Sequence, residues 1–219
     1  MDNRLIIWDW NGTLLNDVDA CVQSMNIMLR KRKMDSLSTS RYKNIFTFPV
    51  KNYYENIGFN FNDESFEQLS VEYIDLYKQE ALKSPLQPRA LEALIYFKSK
   101  GYSQIILSAS EQKALEMQVK ERNITDYFES LLGLNNIYAK SKLNNAIDYI
   151  KKSAFMLDQI VFIGDTFHDY EVAKAIGCES ILVNNGHQDL KRFNFDRSGS
   201  IVSDLGEISE KMAFRNELI

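Results

Sequence analysis

From Pro85 onward the chain alternates two kinds of segment, and this alternation constrains the fold more than any other feature. Short apolar runs recur: "QIILS" at 104–108, "LLGL" at 131–134, "IVFIG" at 160–164 and "SILV" at 180–183. Between them the apolar residues fall at helical spacing. Strands that are apolar on both sides need cover on both sides, which means a parallel sheet with helices on each face. The expected fold class is α/β, a Rossmann-like, doubly wound parallel sheet. In such sheets ligands bind beyond the carboxyl ends of the strands. The residues that directly follow each apolar run therefore matter most.

A first short run, Leu5 to Trp8, is separated from the others by a long helical block. Val18, Cys21, Val22, Met25, Met28 and Leu29 form one apolar stripe. Residues 36–44 read as a polar connector. Asn62 then reads as the cap of a helix whose stripe is Phe66, Leu69, Tyr73, Leu76 and Tyr77. Two of the three prolines, Pro85 and Pro88, close the block. The division expected is a core of residues 1–15 and 86–219 with an all-helical insertion over 16–85. Beyond the boundary, helices are predicted over 89–100, 111–122 and 142–152, with Ala90, Leu91, Leu94 and Phe97 inward in the first and Gly101 as its stop. Another helix ends at Gly177.

Hydrophobic residues make up 45% of the 219 and the formal net charge is −4. That composition supports a large core and argues against sequence-independent nucleic-acid binding, which needs a basic face. The basic run Arg30 to Lys33 reads as a solvated helix end. No stretch approaches the roughly 20 apolar residues of a membrane span, and "MDNRLIIWDW" does not resemble a signal peptide. Cys21 and Cys178 read as reduced core thiols, which with the rest points to a cytoplasmic protein.

The strand ends carry the chemistry. Asp9 follows the first strand, Ser108 follows "IIL", and Asp165 follows "VFIG" with Asp169 one helical turn on. Lys142 opens the preceding helix, with Lys140 two residues earlier as a competitor for its role. Three carboxylates converging at one sheet edge repel one another. The usual relief is a hard divalent cation, and Mg²⁺ suits carboxylates, waters and a phosphate. A lysine and a hydroxyl would hold the remaining phosphate oxygens, and an aspartate can attack phosphorus to form an aspartyl phosphate. His168 reads as a local hydrogen-bonding or surface residue and His187 as loop structure.

The order Asp-x-x-Gly-Thr-Leu, Ser, Lys, Gly-Asp-x-x-x-Asp resembles the haloacid dehalogenase superfamily, and the helical insertion looks like the C1 cap of its phosphoglycolate-phosphatase-like branch. The resemblance implies that Asp9 is the nucleophile and a metal ligand, with the Asn11 carbonyl, Asp165 and Asp169 completing the Mg²⁺ set. Ser108, Ala109 and Lys142 would bind the phosphoryl group, Thr13 would tie the first loop, and Gly12 would bring a backbone amide to the phosphate. Arg89 stands where the family often has glycine.

Asn11 departs from the pattern, because the family's phosphatases usually carry aspartate there as general acid and base. Loss of such a group costs about 10²–10⁴-fold. Three readings follow: a phosphatase of a small phosphorylated metabolite whose proton comes from elsewhere, with phosphoglycolate the family-level substrate; phosphonoacetaldehyde hydrolase-like C–P cleavage, for which Lys51 is the candidate Schiff-base lysine; or a weakly active module that binds a phosphoryl ligand. Lys51 also reads as a cation for a substrate carboxylate or phosphate. Phe46, Phe48, Tyr53 and Tyr54 read as packing of the insertion.

Overall fold

The computed structural model describes residues 4–135, 142–196, 199–208 and 211–212; Lys140 lies outside them. A six-stranded sheet has the order β3-β2-β1-β4-β5-β6 and every pairing is parallel. Its strands are β1 (Leu5–Trp8), β2 (Ser103–Glu111), β3 (Ser130–Leu134), β4 (Ile160–Gly164), β5 (Glu179–Val183) and β6 (Gly199–Val202). The alternation predicted the first five; β6 was missed, because "GSIV" is short and follows only a single 3-10 turn (Leu190–Arg192) instead of an amphipathic α-helix. Side chains of β1 divide by parity. Ile6 and Trp8 join Leu94, Phe97 and Leu115 on one face, while Leu5 and Ile7 join Ala146, Phe162 and Val172 on the other. The covering helices are α5 (Ala90–Ser99), α6 (Gln112–Glu121), α7 (Leu143–Lys152) and α8 (Phe167–Ile176). Within α5, Ala93 is buried and Leu91 is exposed, contrary to the predicted inward set.

Between β1 and α5 lie four helices: α1 (Val18–Lys31), α2 (Thr39–Ile45), α3 (Val50–Ile57) and α4 (Phe66–Ala81). They bury a cluster of their own, including Met25, Met28, Tyr42, Tyr54 and Leu69. The supposed connector holds α2, because the Ser38 hydroxyl accepts from the Arg41 amide and caps it. Helix α4 starts at a capping box of Ser65 and Gln68, not at Asn62. The chain leaves and re-enters the sheet side by side: Leu15 bridges Leu86, and the Gln87 amide donates to the Leu14 carbonyl at 2.8 Å. Arg89 has φ of +64°, the left-handed backbone that glycine adopts most readily.

Candidate active site

Strands β1 and β4 are neighbours at the centre of the sheet, with Trp8 opposite Ile163. The chain order reverses here, so the carboxyl ends of these strands form the crevice. The Asp9 amide donates to the Ile163 carbonyl at 2.8 Å, which extends the pairing one residue and fixes Asp9 beside Gly164 and Asp165. Asp169 sits one turn into α8. Its Oδ2 accepts from the amides of Asp165 (3.1 Å) and Thr166 (2.9 Å) and from the Thr166 hydroxyl (2.7 Å). That capping box leaves Oδ1 for the Lys142 ammonium at 2.7 Å. Lys142, at the N-terminus of α7, also binds Asp9 and the Leu107 carbonyl.

Carboxylate oxygens of Asp9, Asp165 and Asp169 all lie within 4.8 Å of one another, and all three residues are buried. One ammonium faces them. Burial raises the Asp9 pKa, Asp169 and Asp165 raise it further, and Lys142 only partly opposes this. Burial and Asp169 push Asp165 up to about 6 against the pull of His187 and its hydrogen bonds. Asp169 is buried as deeply, yet Lys142 and the Thr166 cap hold it below the usual range. Three buried carboxylates that outnumber Lys142 and their share of His187 form a donor set that fits a divalent cation.

The loop after β1 is built from its own residues. The Gly12 amide donates to Asp17 Oδ1 and to the Leu15 carbonyl, both at 2.9 Å, and the Gly12 carbonyl accepts from Gln87. That amide is therefore committed to the loop and not offered to a phosphate. Gly12 has φ of +76°, and a Cβ there would overlap Asp165 and His187. Thr13 donates to Asp165 Oδ1 at 2.9 Å. Ser108 is fully buried and its hydroxyl engages the Ser110 amide and the Asn11 carboxamide. Ser110 lies on the wall of the cavity, as does Ala109.

A second buried network, missed in the sequence, surrounds Asn11. Its Nδ2 donates to Asp17 Oδ2 (2.9 Å) and to the Tyr77 hydroxyl (2.7 Å), and its Oδ1 accepts from Ser110 (2.7 Å). Tyr77 donates to Asp17 at 2.6 Å. His187 closes the group with Nε2 3.2 Å from Asp17, Nδ1 2.7 Å from the Tyr42 hydroxyl, and its amide 2.5 Å from Asp165 Oδ2. Burial works against the imidazolium, but Asp17 and Asp165 raise His187 to about 9. His187 in turn outweighs burial and lowers Asp17. The Cys21 thiol lies 3.7 Å from Asp17, and burial next to that carboxylate keeps it protonated. Asp17 reads in the sequence as a helix start and His187 as loop; only their meeting across 170 residues gives them a role.

These networks open into a cavity of about 170 Å³ between the sheet edge and the helical block. Asp9, Asn11, Lys142 and Asp169 line it, and so do Phe46, Phe48, Tyr53 and Tyr54. The four aromatics thus pack on one another and also face the cavity. Lys51 is placed elsewhere. It is exposed, its ammonium sits 5.1 Å over the Phe61 ring, and it does not line the cavity. Helix α3 buries Tyr53, Tyr54 and Ile57 and leaves Lys51 exposed.

The sequence profile of the haloacid dehalogenase-like hydrolases matches residues 6–183. This chain belongs to that family. It is 23% identical over 222 aligned residues to a phosphoglycolate phosphatase of Neisseria gonorrhoeae, covering 95% of this chain and 93% of the relative. A phosphoglycolate phosphatase of Pseudomonas savastanoi is 21% identical over 214 residues, covering 94% and 78%. A haloacid dehalogenase-like family protein of Streptococcus pneumoniae superposes with a TM-score of 0.81 at 17% identity, over 96% of this chain and 99% of that one. The fold class and the resemblance read from the motifs both hold. The cluster of Asp9, Asp165, Asp169 and Lys142 is the feature of the site on which a function for this family member can be argued.

Proposed function

We propose that the protein is a Mg²⁺-dependent phosphohydrolase of small phosphate monoesters that works through an aspartyl phosphate on Asp9. The observation that carries this reading is the placement of Asp9 at the end of β1, within reach of Asp165 and Asp169 and joined to Asp169 through the Lys142 ammonium. Asp9, the Asn11 carbonyl, Asp165 and Asp169 would hold the cation, with Thr13 and the His187 amide orienting Asp165. Bound Mg²⁺ supplies positive charge that lets an anionic nucleophile approach an anionic phosphoryl group. Lys142 steadies Asp9 and the transferring phosphoryl oxygens, while the Ser110 hydroxyl on the cavity wall holds the Asn11 carboxamide. An Asp9 oxygen attacks phosphorus, the ester P–O bond breaks and the alcohol oxygen leaves with its electron pair. Water then attacks phosphorus, the Asp9–phosphorus bond breaks, and the water's proton passes to a phosphate oxygen or solvent.

The four helices over the site act as the cap that excludes water. A cytoplasmic setting fits the two buried free thiols. C–P cleavage through a Schiff base is not favoured, because Lys51 is turned away from the cavity. The fixed carboxamide of Asn11 favours one second reading, a phosphoryl-ligand-binding module with negligible turnover. Phosphate release from acetyl phosphate and p-nitrophenyl phosphate, with and without Mg²⁺, separates the two. Release that needs Mg²⁺ and falls by about 10⁴-fold in Asp9→Asn is the expected result. Release that persists in Asp9→Asn would remove the nucleophile, and no release from wild type would leave the binding module.

A further inference from the structure

Two features of the cavity point to the same kind of substrate. The first is its wall. Phe46, Phe48, Tyr53, Phe66, Tyr73 and Tyr77 face the space beyond Asp9. Its volume, about 170 Å³, compares with the roughly 150 Å³ apolar cavity that holds a benzene ring. A carboxylate such as that of phosphoglycolate would meet the electron-rich faces of these rings and would need a free cation. Among the described residues on the wall, each cation is already engaged. Lys142 holds Asp9 and Asp169, His187 holds Asp17, and the Lys78 ammonium lies 3.7 Å from Glu111. His168 lies tilted against Phe48, with 4.7 Å between ring centres, and its Nδ1 is 3.7 Å from Glu171.

The second feature is Asn11. Its carboxamide is held on both sides, by Asp17 and Tyr77 through nitrogen and by Ser110 through oxygen. It has no proton to give a leaving alkoxide, whose parent acid has a pKa near that of water, about 15.7. A phenolate leaves with a parent pKa of about 10. That difference removes the need for the general acid, which is worth about 10²–10⁴-fold. A further sign of a missing ligand group is the Tyr53 hydroxyl, which is buried with no hydrogen-bond partner.

We infer that the site is built for phosphate monoesters of phenols, with the ring between the aromatic side chains of the helical block and the phosphoryl group on Asp9 and Lys142. An acceptor substituent on the ring would satisfy Tyr53. The inference rests on the phosphohydrolase reading. In the reaction the P–O(aryl) bond breaks as the Asp9–phosphorus bond forms, the phenolate carries off the electron pair, and solvent protonates it outside the cavity.

The test compares phenyl phosphate, benzyl phosphate, acetyl phosphate and phosphoglycolate as substrates of the Mg²⁺-loaded protein. Binding of phenylphosphonate and phosphonoacetate is measured alongside by calorimetry. Phenyl phosphate should exceed both benzyl phosphate and phosphoglycolate in kcat/KM by about 10²-fold or more. Phenylphosphonate should bind about tenfold tighter than phosphonoacetate, the gain of a buried ring over a buried carboxylate. Phosphoglycolate turned over as well as phenyl phosphate, or phosphonoacetate bound as tightly as phenylphosphonate, overturns the aryl assignment while leaving a phosphohydrolase. Absence of phosphate release from every ester and from the anhydride acetyl phosphate overturns the hydrolase reading instead, and the two phosphonates then decide the cavity's preference on their own.

Discussion

Two buried carboxylate networks lie on either side of Gly12, and they balance charge in opposite ways. Beyond the sheet edge, Asp9, Asp165 and Asp169 face the ammonium of Lys142, with a share of the His187 imidazolium acting on Asp165. Towards the helical block, Asp17 faces His187 one to one, and the remaining hydrogen bonds come from Asn11, Tyr77 and the Gly12 amide. The first network has an excess of negative charge that a cation can use. The second is complete without any ligand. Clustered acid residues therefore say little alone; the ratio of carboxylates to counter-charges distinguishes a site that binds from one that braces.

The brace should be the more fragile when one member is removed. Asp17→Asn leaves a buried imidazolium without its anion, and breaking a buried pair in this way costs about 3–5 kcal/mol. Chemical denaturation should show that loss, and Asp17→Asn combined with His187→Gln should recover much of it. A double variant no more stable than the single one would show that the two residues do not act as a pair.

The same pair imposes a pH dependence. His187 stands at about 9 in the fold, above its ordinary value of 6.5. Its stabilisation is fully present below pH 6.5, declines as pH rises towards 9 and is lost above it, a change of ~3 kcal/mol from the shift alone. Unfolding free energy measured from pH 6 to 10 should fall across that window in wild type and fall less in His187→Gln. Equal slopes would assign the decline to other groups.

The acid cluster should respond to Mg²⁺ and the brace should not. At 100-fold excess over Kd, a ligand that binds only the folded state adds about 2.7 kcal/mol. Wild type should show such a rise in thermal stability, Asp165→Ala should lose most of it, and Asp17→Asn should keep it from a lower baseline. An undiminished Mg²⁺ response in Asp165→Ala would take that residue out of the ligand set.

How much of this could be read from the chain follows from the range of each interaction. Strand ends are local, so Asp9, Asp165, Asp169 and Lys142 were nameable from apolar runs and the residue that follows each. The parallel sheet was legible for the same reason. The second network was not, because Asn11, Asp17, Tyr77 and His187 come from a loop, two helix contexts and a distant turn. Tyr77 carries a period-matched stripe position that hides a polar task, and Asp17 looks like an ordinary residue before a helix. Lys51 shows the converse: a lone cation in an aromatic segment reads equally as a ligand contact or a solvated lysine, and the fold leaves it exposed over Phe61, off the cavity wall.

Asn11→Asp gives the smallest expected effect and the sharpest comparison between the networks. Judged by the motif alone, this change should restore the general acid and raise turnover of an alkyl phosphate by about 10²-fold or more. The structure argues for less than about tenfold. The new carboxyl would sit where Nδ2 is now 2.9 Å from Asp17, and two carboxylates at that range cannot both ionise. The proton they retain would be held between them instead of facing a leaving group. Replacing the neighbour too, as Asn11→Asp with Asp17→Asn, returns a donor to the acid and should release the gain that the single change withholds. Ethyl phosphate turnover in the two variants checks this. A full gain from the single change would mean that Asp17 does not restrain position 11, and the brace would then be structural only.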